Sequence, residues 1–238
     1  MTSSVAMRPM TAWRNALGVT GLGVLFVGVG GFIVLARAIH GALGVTKIGA
    51  AWLELGFACL LLLIVSLIWL WQRAHGGTLA DLGLGRATTA RATVAGLVIA
   101  VVWLALSYTG FVGLLPNEDY AGFDPMRLLV APLGVVIGVC EETMMRGFFM
   151  TQLQRAGVST WLQVVASGAC SAIYHALQST SLIGFASNFV FSFILFSALA
   201  VVYVIGRRSL TPGAVSHSLI HVLGDPYLDE VILATVGP

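Results

Sequence analysis

The chain has 238 residues, of which 58% are hydrophobic and 9% are charged, whereas soluble domains carry about 25% charged residues. This composition excludes a disordered chain and a water-soluble enzyme core, and it predicts a membrane protein. The 12 basic and 10 acidic residues leave a net charge of +2, which is too small and too scattered to indicate nucleic-acid binding. Because one crossing needs roughly 20 apolar residues, we expect an all-α, polytopic transmembrane bundle of about seven helices.

Apolar runs place these helices along the chain. The predicted helices cover residues 16–36, 48–71, 92–115, 124–155, 161–177, 182–205 and 211–224. The fourth begins near Asp124 and Pro125, an N-cap followed by proline at the first helical position, and we expect it to kink at Pro132. The seventh is expected to end at Gly224, which leaves it too short to cross a full bilayer.

Basic residues are divided unequally between the two sides of this predicted bundle. When the helices cross alternately, one side collects Arg8, Arg14, Arg73, Arg86, Arg91, Arg155, Arg207 and Arg208. The other side has only Arg37, Lys47 and Arg127. The positive-inside rule therefore predicts a multi-pass protein of the plasma (inner) membrane with a cytoplasmic N-terminus. The polar segment 73–91 is expected to separate an N-terminal two-helix region with its basic loop, residues 1–91, from a core of residues 92–238.

The fourth helix differs from the others because it carries charged residues inside an apolar sequence. Ionisable groups at bilayer depth are costly, so each is expected to have a function or a partner. Glu142 and Arg146 have the i, i+4 spacing of a helical ion pair, and we interpret them as a structural pair. Glu141 projects about 100° away from Glu142, so its partner must come from another helix.

Three histidines are candidate partners for Glu141. His175 lies on the fifth helix, while His217 and His221 share one face of the seventh. Glu141 and His175 each lie roughly 22 Å from the turn that joins their helices, and His217 lies about 8 Å above the start of its own helix. These estimates place the three groups at one depth, in a cavity that opens toward the cytoplasmic side.

The chemistry that this cluster suits is amide hydrolysis. A carboxylate that faces imidazoles in an apolar cavity can activate water, and an imidazole can share the proton. The second imidazole pair could stabilise an oxyanion or bind a metal. The His-x-x-x-His spacing suits zinc, but the internal glutamate of the usual zinc-protease helix is absent. A divalent metal held by Glu141, His175, His217 and His221 and a metal-free mechanism both stay open, as does a neutralised polar core that only fixes helix packing.

Three motifs on these helices resemble those of the CAAX protease and bacteriocin-processing (CPBP, Abi) family of intramembrane endopeptidases. The resemblance covers residues 128–223. Ser171 stands where the family usually has phenylalanine, and His221 stands where it has asparagine or aspartate. The three motifs, in chain order, are Glu141-Glu142-x-x-x-Arg146, Ser171-x-x-x-His175 and His217-x-x-x-His221.

The resemblance implies a membrane protease in which Glu141 and His175 activate water while His217 and His221 stabilise the oxyanion. It implies a membrane-tethered protein or peptide as the substrate and the lipid bilayer as its surroundings. Eukaryotic relatives remove the last three residues of prenylated proteins, and some bacterial relatives are linked to bacteriocin maturation or immunity. Because an imidazole offers one donor where asparagine offers two, His221 favours the metal alternative. Two other functions stay open, a non-catalytic protein that regulates a membrane partner and a small proton-coupled transporter.

Overall fold

The structure is a computed structural model that describes residues 47–106, 126–177 and 182–235, with side chains for 55–106, 131–177 and 182–223. These residues form helices and no strand. Three of the helical segments follow one another without a break, so the described part has six helical rods. The elements are α1 (Lys47–Ala74), a 3-10 turn (Leu79–Leu82), α2 (Ala90–Leu106), α3 (Met126–Glu142), a π-helical segment (Thr143–Phe149), α4 (Met150–Arg155), α5 (Thr160–Ala176), α6 (Leu182–Ile205) and α7 (Thr211–Thr235).

The predicted helices coincide with described ones over most of their lengths. The sixth matches α6 at both ends, while the second and fifth match α1 and α5 to within three residues. Pro132 lies inside α3, and the kink expected there stays a prediction. The first predicted helix, the predicted end of the third at residue 115, and the cap at Asp124 and Pro125 lie outside the described residues.

Two helices of the described part are long and apolar enough to cross a membrane. They are Leu55–Ala74, within α1, and Leu182–Ile205, which is α6. Large apolar side chains also point outward from these helices, including Leu63, which is 56% exposed, and Ile194, which is 58% exposed. A lipid environment accommodates such surfaces without the cost that water would impose.

The predicted end of the seventh helix at Gly224 is wrong. α7 has 25 residues and ends at Thr235, so at about 1.5 Å per residue it is long enough to cross a bilayer. A glycine costs a helix interior only about 1 kcal/mol. Pro226 also lies inside α7 and costs a helix about 3 kcal/mol, so neither of these two local stop signals ends the helix.

Packing contacts join the six helical rods of the described part. α3 packs against α1 and α7, α2 contacts both α6 and α7, and α5 packs along α6. Apolar side chains of α1, α3 and the π-helical segment form the largest core cluster, which includes Leu61, Ile68, Met145 and Phe148. The carboxylates of α3 and the histidines of α7 therefore lie beside a tightly packed apolar layer.

Two glycines allow α3 and α7 to approach closely. A Cβ atom on Gly134 would lie 3.0 Å from the Cβ of His221, and one on Gly138 would lie 2.8 Å from the backbone nitrogen of Ser218. Their spacing is the small-x-x-x-small pattern of membrane helix interfaces. The Gly134-x-x-x-Gly138 pattern can be found in the sequence, and it positions the histidine face of α7 against α3.

Replacing Gly138 by alanine is expected to lower the free energy of unfolding by about 1–3 kcal/mol, since the added methyl group meets backbone atoms that cannot move aside alone. Gly56→Ala on α1 is the matched control, because a Cβ there meets nothing within 4 Å and alanine favours helix. Thermal unfolding of the purified protein in detergent compares the two. Equal unfolding midpoints for both variants would contradict the close approach of α3 and α7.

Candidate active site

The two adjacent carboxylates lie where the helix changes its hydrogen-bonding pattern. Glu141 and Glu142 end α3 and are only 3% and 1% exposed. The next seven residues, Thr143–Phe149, are π-helical and all buried. A π-helical insertion widens the turn and is found frequently at functional sites. The predicted helix over residues 124–155, kinked at Pro132, does not include this distortion.

Arg146 connects the end of α3, at Glu142, to α6. Its NH1 atom lies 3.1 Å from Oε1 of Glu142, the partner that the i, i+4 spacing predicts. Its NH2 atom donates a hydrogen bond of 2.8 Å to the backbone oxygen of Phe196, and its guanidinium carbon lies 5.1 Å from the centre of the Phe196 ring. The side chain is fully buried, so these contacts stand in for the water that the charge has lost.

Glu142 has a second partner that the sequence-based interpretation did not give it. Nδ1 of His217 lies 3.1 Å from the same Oε1 atom. Because an ionised carboxylate only accepts, Nδ1 is the donor, and the neutral ring then carries its lone pair on Nε2. Gly213 makes room for this arrangement, since a Cβ there would lie 2.8 Å from Oε2 of Glu142. Glu142 therefore fixes both the orientation and the tautomer of His217.

Three potential ligand atoms converge on the other side of the His217 ring. Its Nε2 atom lies 3.5 Å from Oε2 of Glu141 and 3.0 Å from Nε2 of His221. The ligand atoms of these three residues all lie within 4.8 Å of one another. Two imidazole nitrogens at this distance share a proton or a cation. The cluster can therefore polarise a bound water or carbonyl, or hold a divalent metal.

His175 lies beside this cluster rather than within it. Its ring stacks on Phe196 with a centroid distance of 4.8 Å and an interplanar angle of 13°. The same phenylalanine meets the His217 ring edge-on at 5.1 Å. No hydrogen bond or ion pair joins His175 to Glu141 in the described part of the chain, and Nε2 of His175 is buried there without a hydrogen-bond partner. The structure thus brings three of the four predicted residues into direct contact.

Phe196 is the residue of this site that sequence reasoning missed. It is 2% exposed and contacts Arg146, His175 and His217. Nothing in its local sequence separates it from the other phenylalanines of α6, because its role comes from three helices that meet around one ring.

Part of the chain matches a known protein family. Residues 124–223 match the family model described as type II CAAX prenyl endopeptidase Rce1-like. The match begins just before α3 and ends within α7, so it includes every residue of the cluster. No curated protein and no solved structure matches the chain.

Proposed function

Because residues 124–223 form a domain of the Rce1-like CAAX endopeptidase family, we propose that the protein is an intramembrane endopeptidase that hydrolyses a membrane-associated protein or peptide. The buried cluster of Glu141, His217 and His221, with ligand atoms within 4.8 Å, is the observation that carries this proposal. Such a cluster inside an apolar bundle suits a reaction that must bring water to a peptide bond at membrane depth.

Glu141 is the proposed general base. The water oxygen attacks the peptide carbonyl carbon while Glu141 takes a water proton, and the carboxyl group then returns that proton to the leaving nitrogen as the carbon–nitrogen bond breaks. His221 is the proposed donor to the oxyanion, and His217, whose Nδ1 donates to Glu142, adds a second donor from Nε2 when both of its ring nitrogens carry a proton. Glu142 and Arg146 hold His217 in place, and His175 offers Nε2 to the attacking water.

Glu141, His217 and His221 are also the residues that would hold a divalent metal such as zinc. One carboxylate and two imidazoles are common zinc ligands, and zinc-bound histidines usually donate their other ring nitrogen to a carboxylate, as His217 does to Glu142. Once bound, a metal supplies Lewis-acid polarisation of the carbonyl and acidifies water.

The proposed setting is a multi-pass protein of the plasma membrane whose site opens toward the cytoplasm. The ends of the helices nearest Arg155, Arg207 and Arg208 form the arginine-rich end of the described bundle, which the positive-inside rule assigns to the cytoplasm. A substrate tethered to the membrane would reach a site at the depth of Glu141 and His217 without leaving the bilayer.

The experiment that tests the function compares membrane proteomes from cells that express wild-type protein or Glu141→Gln. New peptide termini are expected with the wild type and not with the variant, while both unfold at similar temperatures. If the cellular phenotype of the wild type survives this substitution and no peptide termini differ, the protein would instead be a regulatory one.

Metal analysis belongs to the same experiment. Mass spectrometry of purified wild-type protein and His221→Asn measures bound metal. In a metal-dependent enzyme, the variant is expected to lose both metal and activity. In a metal-free enzyme, asparagine is expected to support cleavage as an oxyanion donor.

A further inference from the structure

Two segments from distant parts of the sequence are joined at the arginine-rich end of the bundle. Residues 83–92 run from the 3-10 turn into α2, and residues 205–210 run from the end of α6 to the start of α7. Three hydrogen bonds hold them together in what we call the loop junction. These bonds run from the backbone nitrogen of Leu210 to the oxygen of Gly83 (3.0 Å), from Oγ of Ser209 to the backbone oxygen of Arg86 (2.9 Å) and from Oγ1 of Thr89 to the backbone oxygen of Ile205 (3.0 Å).

Arg86 and Arg208 are close neighbours in the loop junction. Ser209, which follows Arg208, bonds to the backbone of Arg86. Burial lowers the pKa of Arg208 from its usual value, and the charge of Arg86 lowers this pKa further. NH2 of Arg208 donates a hydrogen bond of 2.7 Å to Oε1 of Gln163, and Nε of Arg86 donates to the backbone oxygen of Ala80. These partners are uncharged, so they hold the two guanidinium groups without neutralising either of them.

Arg91 and Arg207 bring a second pair of positive charges to the same place. A Cβ on Gly206 would lie 3.1 Å from the Cβ of Ala92. Arg91 and Arg207 are the chain neighbours of these two residues, so their side chains start from adjoining points of the backbone. Both arginines are exposed. The loop junction therefore presents four arginines, two from each of its segments.

No carboxylate in the described part of the chain pairs with these four arginines. The ion pairs found there involve Arg146, Arg155 and His217. Asp81, the acidic residue closest to Arg86 in the sequence, lies 3.8 Å from Arg155 and caps the 3-10 turn through Thr78. Positive charge that is concentrated without a counter-charge attracts an anion, and guanidinium groups suit phosphate by their planar fork of donors.

Exposed apolar side chains lie directly beside the two exposed arginines. Val94 of α2 is exposed about one turn after Arg91, and Ile205 of α6 is exposed just before Arg207. Further exposed valines follow one turn away from the junction on each helix, at Val98 and Val201. Phosphate-binding charge next to a lipid-facing apolar surface matches the two halves of an acidic phospholipid.

We infer that the loop junction binds an acidic phospholipid, whose phosphate lies at Arg91 and Arg207 and whose acyl chains lie along Val94 and Ile205. A soluble phosphate would meet the same charges but would gain nothing from the apolar side chains beside them. The inference goes beyond the proposed function and does not depend on it, because it uses no residue of the candidate active site.

Arg207→Gly and Arg91→Gln test this site, one from each segment. Arg207 has a left-handed backbone with a φ of 59°, which glycine adopts without steric cost, so this change removes the charge while the fold is expected to stay intact. Native mass spectrometry of the full chain in neutral detergent measures the binding of phosphatidylglycerol. Each variant is expected to bind this lipid about fivefold more weakly than the wild type, and the double variant about 25-fold.

Two substitutions serve as matched controls. Arg73→Gln removes an exposed arginine at the end of α1, outside the loop junction, and is expected to leave phosphatidylglycerol binding unchanged. Arg207→Lys keeps the positive charge and is expected to keep most of the binding. Thermal unfolding in lipid-free detergent checks that each variant is folded, and Arg91→Gln alone carries the test if Arg207→Gly is not.

Two competing ligands identify what the site binds. Phosphatidylcholine with the same acyl chains has a phosphate but no net charge, and it is expected to bind the wild type more weakly than phosphatidylglycerol. Glycerol phosphate has the charge without the acyl chains, and it is expected not to displace phosphatidylglycerol at the same concentration.

Four results would overturn the inference. They are equal binding of the two lipids by the wild type, equal binding of phosphatidylglycerol by the wild type and the double variant, displacement of this lipid by glycerol phosphate, and a loss in Arg73→Gln as large as that in Arg207→Gly. The last result would mean that the lipid responds only to the total charge at this end of the bundle. None of these measurements uses peptide cleavage, so the lipid site and the proposed function fail separately.

Discussion

Arg146→Met is expected to lower the free energy of unfolding by about 3–5 kcal/mol, the usual effect of removing one partner of a buried ion pair. The guanidinium is fully buried against Glu142 and the backbone oxygen of Phe196. Methionine fills much of the space but leaves the Glu142 carboxylate with only its bond from His217. Thermal unfolding of the purified protein, followed by tryptophan fluorescence, measures the loss.

A double variant identifies the cause of that loss. Adding Glu142→Gln to Arg146→Met removes the second charge and keeps an oxygen that accepts from His217, so a large part of the stability is expected to return. Arg73→Met at the exposed end of α1 is the control and should change stability by less than about 0.5 kcal/mol. If the double variant is no more stable than Arg146→Met alone, the uncompensated charge is not the cause.

His217→Gln is expected to lower the rate of peptide cleavage by about 10³-fold. The imidazole is in contact with three other polar groups of the site, and glutamine cannot reproduce both ring nitrogens in their fixed geometry. Cleavage of a substrate found in the proteome comparison, assayed with the purified variant, gives the rate.

The matched substitution is His75→Gln, on an exposed histidine whose side chain bonds to the Trp71 backbone oxygen. Its cleavage rate should equal that of the wild type. A His217→Gln enzyme that keeps more than about a tenth of wild-type activity would mean that His217 is not a catalytic residue.

The sequence predicted helix positions well because the apolar runs that mark them are local features of the sequence. α6 has the predicted ends, and Glu142 and Arg146 form the contact that i, i+4 spacing requires. Depth arithmetic also brought Glu141 and His217 to one level. Each of these expectations depends only on distance along a single helix.

Contacts between helices could not be predicted in the same way, because the spacing of residues along one helix does not determine how that helix rotates and packs against its neighbours. Whether His175 faces Glu141 or Phe196 is decided by the rotation of α5 about its axis, which packing against α6 sets. The bond from His217 to Glu142 requires the close approach at Gly213. The π-helical segment is stabilised by the burial of all seven of its residues, a tertiary effect that overrides local helix preference.

The interface between α3 and α7 also determines when the site is assembled during synthesis. α7 is synthesised after every helix that it contacts, and it brings His217 and His221 to a carboxylate already present on α3. A growing chain that has inserted its earlier helices therefore holds Glu141 with neither imidazole of α7 beside it. Under the proposed function, a ribosome-bound copy is harmless to neighbouring proteins until its final described helix docks, so no separate inhibitor is needed during synthesis.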